Sequence, residues 1–507
     1  MRHVAAGICL LVGALALGQG FNRRYDAFDL GREQGAWGLE ENPTGFTVIS
    51  FSYDADSISP DSSFFHVTTL FTFLDPYGTK LTEHRNFRAW RGTYPGWSNC
   101  CDTIPGGGYA VGGGVESIDQ VHEVCLQRIT SLGDTLWTRV FGGANQYWIG
   151  RQVKRTPDGG FLIVGDTDAS GYVDGFAIKT DSLGNEQWRQ TYGWSNTQID
   201  GLLSCDLAPA NTLYMGGTRV FSSTNTDFWL QRTDTAGTLL WRVSWGGPWD
   251  DGSAQFFTLN DGQPLVASGI GYAADGTAMR PYLAKLDSLD GSILWEREYG
   301  SVEYSTLLFA AKERANGDLI ACGVSYAGGD QQGLLMRTTS SGDSIWTRTY
   351  FYQDTLISTG QGRFYDVLPT NDGGFIAAGA AYNPAGAPYP PGYSQDTWVV
   401  KVDSMGCIVP GCDGVGVQEV VTNLGNALQV FPNPAHGSTT VNVQLPQSMR
   451  GNTLRLVLVN AQGQVVLEQQ ATEGEDVLDL SDVAAGLYYV HLAHGATWLA
   501  GKKLVVE

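Results

Sequence analysis

Four tryptophans, Trp97, Trp148, Trp194 and Trp249, recur at near-regular intervals, and Tyr304 and Tyr352 continue the series. An indole offers a flat π face that can stack on a sugar ring or wedge between packed sheets. Carboxylates stand close by in the chain: Asp200, Asp250 and Asp251 could accept hydrogen bonds from ligand hydroxyls or hold Ca²⁺, which takes oxygen ligands. Other chemistry is poorly supplied. Outside the first twenty residues and the C-terminal region the histidines are His66, His84 and His122, too few for a histidine metal site or a Ser/His/Asp triad. Cys100, Cys101, Cys125, Cys205 and Cys322 show no metal-ligand spacing. Cys407 and Cys412, in CIVPGC, are close enough to close a small loop, and an oxidising compartment would favour that disulfide.

The compartment can be read from the start of the chain. MRHVAAGICLLVGALALGQG has a basic beginning, an apolar run from Val4 to Leu17 and then small residues, the pattern of a secretory signal peptide over residues 1–18 with cleavage after Gly18 or Gly20. The run is shorter than the ~20 residues a spanning helix needs, and Cys9 sits inside it rather than behind a lipobox. No other stretch could span a bilayer, so an integral membrane protein is not expected. The net charge of −21 repels phosphate backbones, which excludes nucleic acid as a partner class.

The elements that must position these residues are repeats. A turn glycine recurs at Gly78, Gly133, Gly184, Gly237, Gly291, Gly342 and Gly406, mostly 51–55 residues apart. Asp precedes it in LDPYG, TDSLG, TDTAG, LDSLDG and VDSMG, with Thr130 and Thr339 in its place elsewhere, and Asp first with Gly fourth suits a type I turn. A Trp follows at Trp90, Trp137, Trp188, Trp241, Trp295 and Trp346. Upstream in each unit lies a second hairpin signal, as in TPDGGFLIVG and TNDGGFIAAG. Four short strands per unit, repeated radially, predict an all-β chain built on a seven-bladed β-propeller over residues 19–412. The last unit lacks its Trp strand, and FNRRYD after the leader supplies one, closing the ring and removing two sheet edges. LDSLDGSILW resembles the tryptophan-docking motif of quinoprotein dehydrogenases and their non-catalytic relatives; only blade geometry is carried over, so no cofactor is expected. The sialidase Asp-box has different intervals and does not match.

Residues 413–427 read as a linker, and alternating segments over 428–507 predict about seven strands, enough for a small β-sandwich. This tail resembles the type A C-terminal sorting domain of the type IX secretion system of Bacteroidota. Pro432-Asn433-Pro434 matches the opening signature, Gly463 the central turn, Gly486-Leu487-Tyr488 the late strand and Lys503-Leu504 the terminal strand. The resemblance implies partners in the secretion machinery and a sortase-like protease that removes the tail, often attaching the cargo to surface lipopolysaccharide. It also implies a secreted or outer-membrane-surface location.

For the propeller itself two functions stay open. One is non-enzymatic binding of an extracellular glycan or protein through variable loops on one face, with Trp97, Trp148, Trp194, Trp249 and Asp251 as contact residues. The other is a polysaccharide hydrolase or lyase using paired loop carboxylates, which must stand about 5–10 Å apart.

Overall fold

The computed structural model describes residues 20–25, 34–54, 66–86, 91–117, 122–143, 146–194, 199–222, 225–272, 278–352, 361–383, 394–409, 412, 428–443, 454–460, 464–494 and 497–507. The signal-peptide and linker expectations, Gly463 and Trp90 lie outside these residues.

Each Asp-x-x-Gly segment is a closed turn. Gly184 N donates to Asp181 O at 3.1 Å, and Asp181 Oδ1 accepts the amides of Leu183 and Asn185 at 2.9 and 2.8 Å. Asp75, Asp234 and Asp403 repeat this cap, and Thr130 does so through its hydroxyl, which explains why Thr can replace Asp. Gly184 has φ +77°, a left-handed conformation in which a side chain is strained, and an added Cβ would lie 2.8 Å from the Trp137 ring.

That close approach answers what the repeated Trp does. The fourth strand of one repeat latches the turn of the next. Trp188 Nε1 donates to Thr235 O at 2.9 Å, Trp241 Nε1 to Ser288 O at 3.0 Å and Trp346 Nε1 to Ser404 O at 3.1 Å. Tyrosines at the ends of these strands add a second bond, Tyr192 to Gly237 O and Tyr350 to Gly406 O. The first repeat departs from the expected spacing. Its fourth strand is Lys80–Asn86, where Thr82 stands opposite Phe73 as Trp188 stands opposite Lys179. His84 and Phe73 seat Gly133 instead of a Trp.

The strands form antiparallel meanders in chain order: sheet A over residues 34–86, B over 91–141, C over 148–192, D over 199–245, E over 255–298, F over 306–350 and G over 361–402. Sheets C and D are continuous through a single parallel bridge, Asp174 to Asp200. The first strand of sheet B is split into Arg91–Pro95 and Cys101–Thr103, both pairing with Tyr109–Ser117. Sheet G takes its fourth strand from the N-terminus: Phe21–Tyr25 pairs antiparallel with Ser394–Val402, Phe21 opposite Lys401. Asn22 ties it in on both sides, accepting from Trp398 Nε1 at 2.6 Å and donating to Phe351 O at 2.8 Å. Successive sheets pack face to face, and sheet A packs against sheet G, so the order closes on itself.

A β-bulge recurs in five first strands, at Trp37, Arg151, Leu203, Phe309 and Tyr365. A bulge sets two residues of one strand against a single partner and so re-aims one side chain. Beyond the repeats, residues 428–507 hold a seven-stranded path in which Leu428–His436 pairs with Ser438–Val443 and meets Thr497–Val506 through a parallel bridge at Ala435–Val506. Leu456, Leu458, Val490, Leu492 and Leu504 fill its core.

Candidate functional sites

The rings singled out in the sequence do not converge. Trp148 is 4% exposed, tilted against Phe176 with Arg189 over its ring. Trp194 carries two guanidiniums, Arg219 at 4.5 Å and Arg242 at 4.2 Å from its centroid, and its amide donates to Asp200 Oδ2 at 2.8 Å. Trp249 and Tyr304 are half-buried, whereas Tyr352 is buried beneath Arg24. Asp251 is buried and holds its own loop together. Its Oδ1 accepts Gly271 N at 2.9 Å and its Oδ2 accepts Gly247 N at 3.0 Å, while burial pushes its carboxyl up to about 7. Asp250 accepts from the Thr226 hydroxyl at 3.0 Å.

Trp97 sits elsewhere, in a cluster the sequence did not mark. It stacks on Trp37 with centroids 6.3 Å apart and planes 17° apart, and Tyr365 meets both edge-on. Phe309 packs on Tyr365 at 5.3 Å. Three of these four rings, Trp37, Phe309 and Tyr365, are bulge residues of sheets A, F and G, and Trp97 fills the gap in the split strand of sheet B. Trp37 and Trp97 are half-buried, and the Trp37 indole N–H is buried with no hydrogen-bond partner among the described residues. Arg151, held by Asp166 at 2.8 Å, lies 5.9 Å from the Trp97 centroid.

Further along the same first strands runs a charged row. Lys154 reaches Asp206 at 3.4 Å and Asp102 at 3.8 Å, and Lys312 donates to Asn99 Oδ1 at 2.7 Å. Asp102, Asp206 and Asp366 each accept a backbone amide of the neighbouring sheet, from Arg155, Thr258 and Leu39 respectively, at 2.8–2.9 Å. The Asp366 bond joins sheet G to sheet A, repeating the link the other two make between B and C and between D and E. Burial raises Glu40 to about 7 and Asp366 to about 6. The geometry spends these carboxylates on fastening sheets. Among the described residues no three His, Cys, Asp or Glu side chains are placed to hold a metal ion. Cys407 and Cys412 form the expected disulfide, Cα atoms 5.7 Å apart, and Cys100, Cys101, Cys125, Cys205 and Cys322 are buried thiols outside it.

In the tail the motif residues do meet. Asn433 Nδ2 donates to Lys503 O at 2.7 Å, and Asn433 Oδ1 accepts Val505 N at 2.9 Å, fastening the Pro432-Asn433-Pro434 segment along the last strand. Pro432 O accepts from Thr439 at 2.9 Å. Gly486 and Tyr488 pair with Val506 and Leu504 of that strand, and the Tyr488 hydroxyl donates to Ala484 O at 2.7 Å. An asparagine presents an amide donor and acceptor together, which is what an open strand edge requires.

Comparison with known proteins separates the two parts. No curated protein matches the chain. Among solved structures it is similar to PorZ, a surface component of the type IX secretion system of Porphyromonas gingivalis (11% identity, TM-score 0.34, covering 92% of this chain and 69% of that one). It is also similar to quinohemoprotein alcohol dehydrogenase from Comamonas testosteroni (11%, TM-score 0.38, 84% and 72%) and to a Dyadobacter fermentans protein of unknown function (8%, TM-score 0.40, 76% and 97%). Residues 429–507 match the family described as the secretion system C-terminal sorting domain. Among the described residues no helix is long and apolar enough to cross a membrane. Residues 429–507 are thus a C-terminal sorting domain, and the chain is cargo of the type IX secretion system, exported to the cell surface or the extracellular space.

Proposed function

We propose that sheets A to G are the seven blades of a closed β-propeller, that residues 428–507 form a β-sandwich behind the 413–427 linker, and that the propeller is a non-enzymatic binding module for an extracellular glycan or protein. The half-buried Trp37–Trp97 stack carries this reading, because its open ring surface lies beside a buried indole N–H that has no acceptor among the described residues. An unpaired buried donor costs about 1–3 kcal/mol, and a ligand hydroxyl or carbonyl would relieve it. Trp249 adds an independent half-buried ring. A hydrolase or lyase is the second reading. It draws on Asp227 and Asp251, whose oxygens both face Gly246, with Asp251 raised to about 7. The two amide bonds held by Asp251 speak for a structural carboxylate instead.

A glycan array and a surface-protein pull-down with the mature protein test the reading. Trp97→Ala should weaken the ligand found by about thirtyfold, the effect of a ~2 kcal/mol hot spot, with turnover absent. Binding unchanged in Trp97→Ala and Trp37→Phe rejects this site, and polysaccharide cleavage lost in Asp251→Asn would establish the enzyme instead.

A further inference from the structure

The sorting domain has a second buried face. Along its strands Leu456, Leu458 and Val490 point into the core, so Val457, Val459, Tyr489 and His491 alternate to the opposite side. Those outer residues form two cross-strand pairs, Val457 with His491 and Val459 with Tyr489. An antiparallel sheet of this size commonly leaves such a face to water, yet these four side chains are only 2–7% exposed. Among the described residues Val457, Val459 and Tyr489 form a cluster separate from the tail's core. Val409, beside the Cys407–Cys412 disulfide, reaches the edge of this face. Gly501, paired with His491, approaches Val409 so closely that an added Cβ would lie 3.0 Å from Val409 Cγ1 and 3.1 Å from His491 Nδ1.

The other side of that loop faces the closing strand of sheet G. Ile408 is buried in the core cluster with Val400 and Val402, and Gly20 leads into Phe21–Tyr25 directly beneath the Ile408 carbonyl, where a Cβ would stand 2.2 Å away. Asp403 fixes the loop from behind by accepting Cys407 N at 2.9 Å. Two adjacent residues, Ile408 and Val409, therefore touch the N-terminal strand on one side and the tail on the other.

We propose that Ile408 and Val409, held by the Cys407–Cys412 disulfide, are a docking seat for the outer face of the sorting domain, so that the tail is held in one orientation only on cargo whose last sheet is closed and whose disulfide is formed. The contact is apolar, made by Val409 against Gly501 beside His491.

The full-length protein carrying Val409→Asp tests this by NMR and hydrogen exchange. Burial now holds the His491 imidazole down at about 3. On undocking it should move up toward the ordinary value, and amides of Gly486–His494 should exchange at least tenfold faster while those of Phe375–Asn383 stay protected. The Cys407→Ser/Cys412→Ser double variant should shift both readouts the same way. Should Val409→Asp also expose Phe375–Asn383, the milder Val409→Ala, with a smaller shift of the same sign, decides the matter. An unchanged His491 titration and unchanged exchange in Val409→Ala and in the double cysteine variant would overturn the proposal.

Discussion

At the residue scale, the carboxyls divide into two groups with opposite pH behaviour. Glu40 and Asp251 are raised to about 7 and Asp366 to about 6, each chiefly by burial. The folded chain keeps protons there that the unfolded chain has already released, so stability falls as pH rises from the ordinary carboxylate range toward 7. Asp158, which is lowered to about 2 by hydrogen bonds from Lys179 and Thr156 against some burial, works the other way, and its contribution disappears only as pH falls below that range. Melting temperature should therefore be highest near pH 4–5 and decline toward pH 8, a window framed by these carboxylate values, and Asp366→Asn should flatten the decline; an equally steep profile in that variant rejects the assignment. Among the tryptophans, Trp346 is 8% exposed and latched to Ser404. Trp346→Ala should cost about 3–5 kcal/mol in denaturant unfolding, whereas the half-buried Trp249→Ala should cost much less. The Asp-x-x-Gly and Trp spacing was legible because a turn cap and a latch need fixed residue types. Trp37, Phe309 and Tyr365 were not, because a bulge is a local change of pairing that no residue type announces.

At the scale of elements, the N-terminal strand has the largest consequence for its length. Phe21–Tyr25 covers the edge of Ser394–Val402, supplies the acceptor for the buried Trp398 N–H, and latches the first turn through Tyr25 to Gly78 O at 2.6 Å. A chain beginning at residue 26 should show fast amide exchange throughout Ser394–Val402 and a tendency to aggregate through the freed edge. Retained protection there would mean that another segment covers the edge. Asn22→Ala isolates one part of this, since leaving a buried indole N–H unpaired costs about 1–3 kcal/mol.

At the scale of the whole molecule, repeats and tail are separate in sequence and in cargo logic. The tail carries the export address, and the sheets carry whatever is exported. Deleting residues 428–507 should leave sheets A to G folded, with an unchanged far-ultraviolet strand signal per residue, but retained in the periplasm on cell fractionation. Normal surface display of the truncated chain would show that the address lies elsewhere.

The chain's own chemistry determined the repeat, its four strands, the N-terminal strand that completes the last sheet and the sorting tail. Each of these shows as a short local pattern, where turn geometry and strand alternation are set by nearby residues, although the N-terminal strand then pairs Phe21 with Lys401. What only the tertiary structure decided is which side chains remain available. Trp148 and Asp251 looked like surface ligands in the sequence, but Trp148 is buried against Phe176 and Asp251 accepts two backbone amides, while Trp194 is half-buried between Arg219 and Arg242. Trp97 joined a half-buried cluster with three rings from strands far away in the chain. Long-range packing assigns each aromatic to wedge or to surface, and spacing along one strand carries no record of which neighbour arrives.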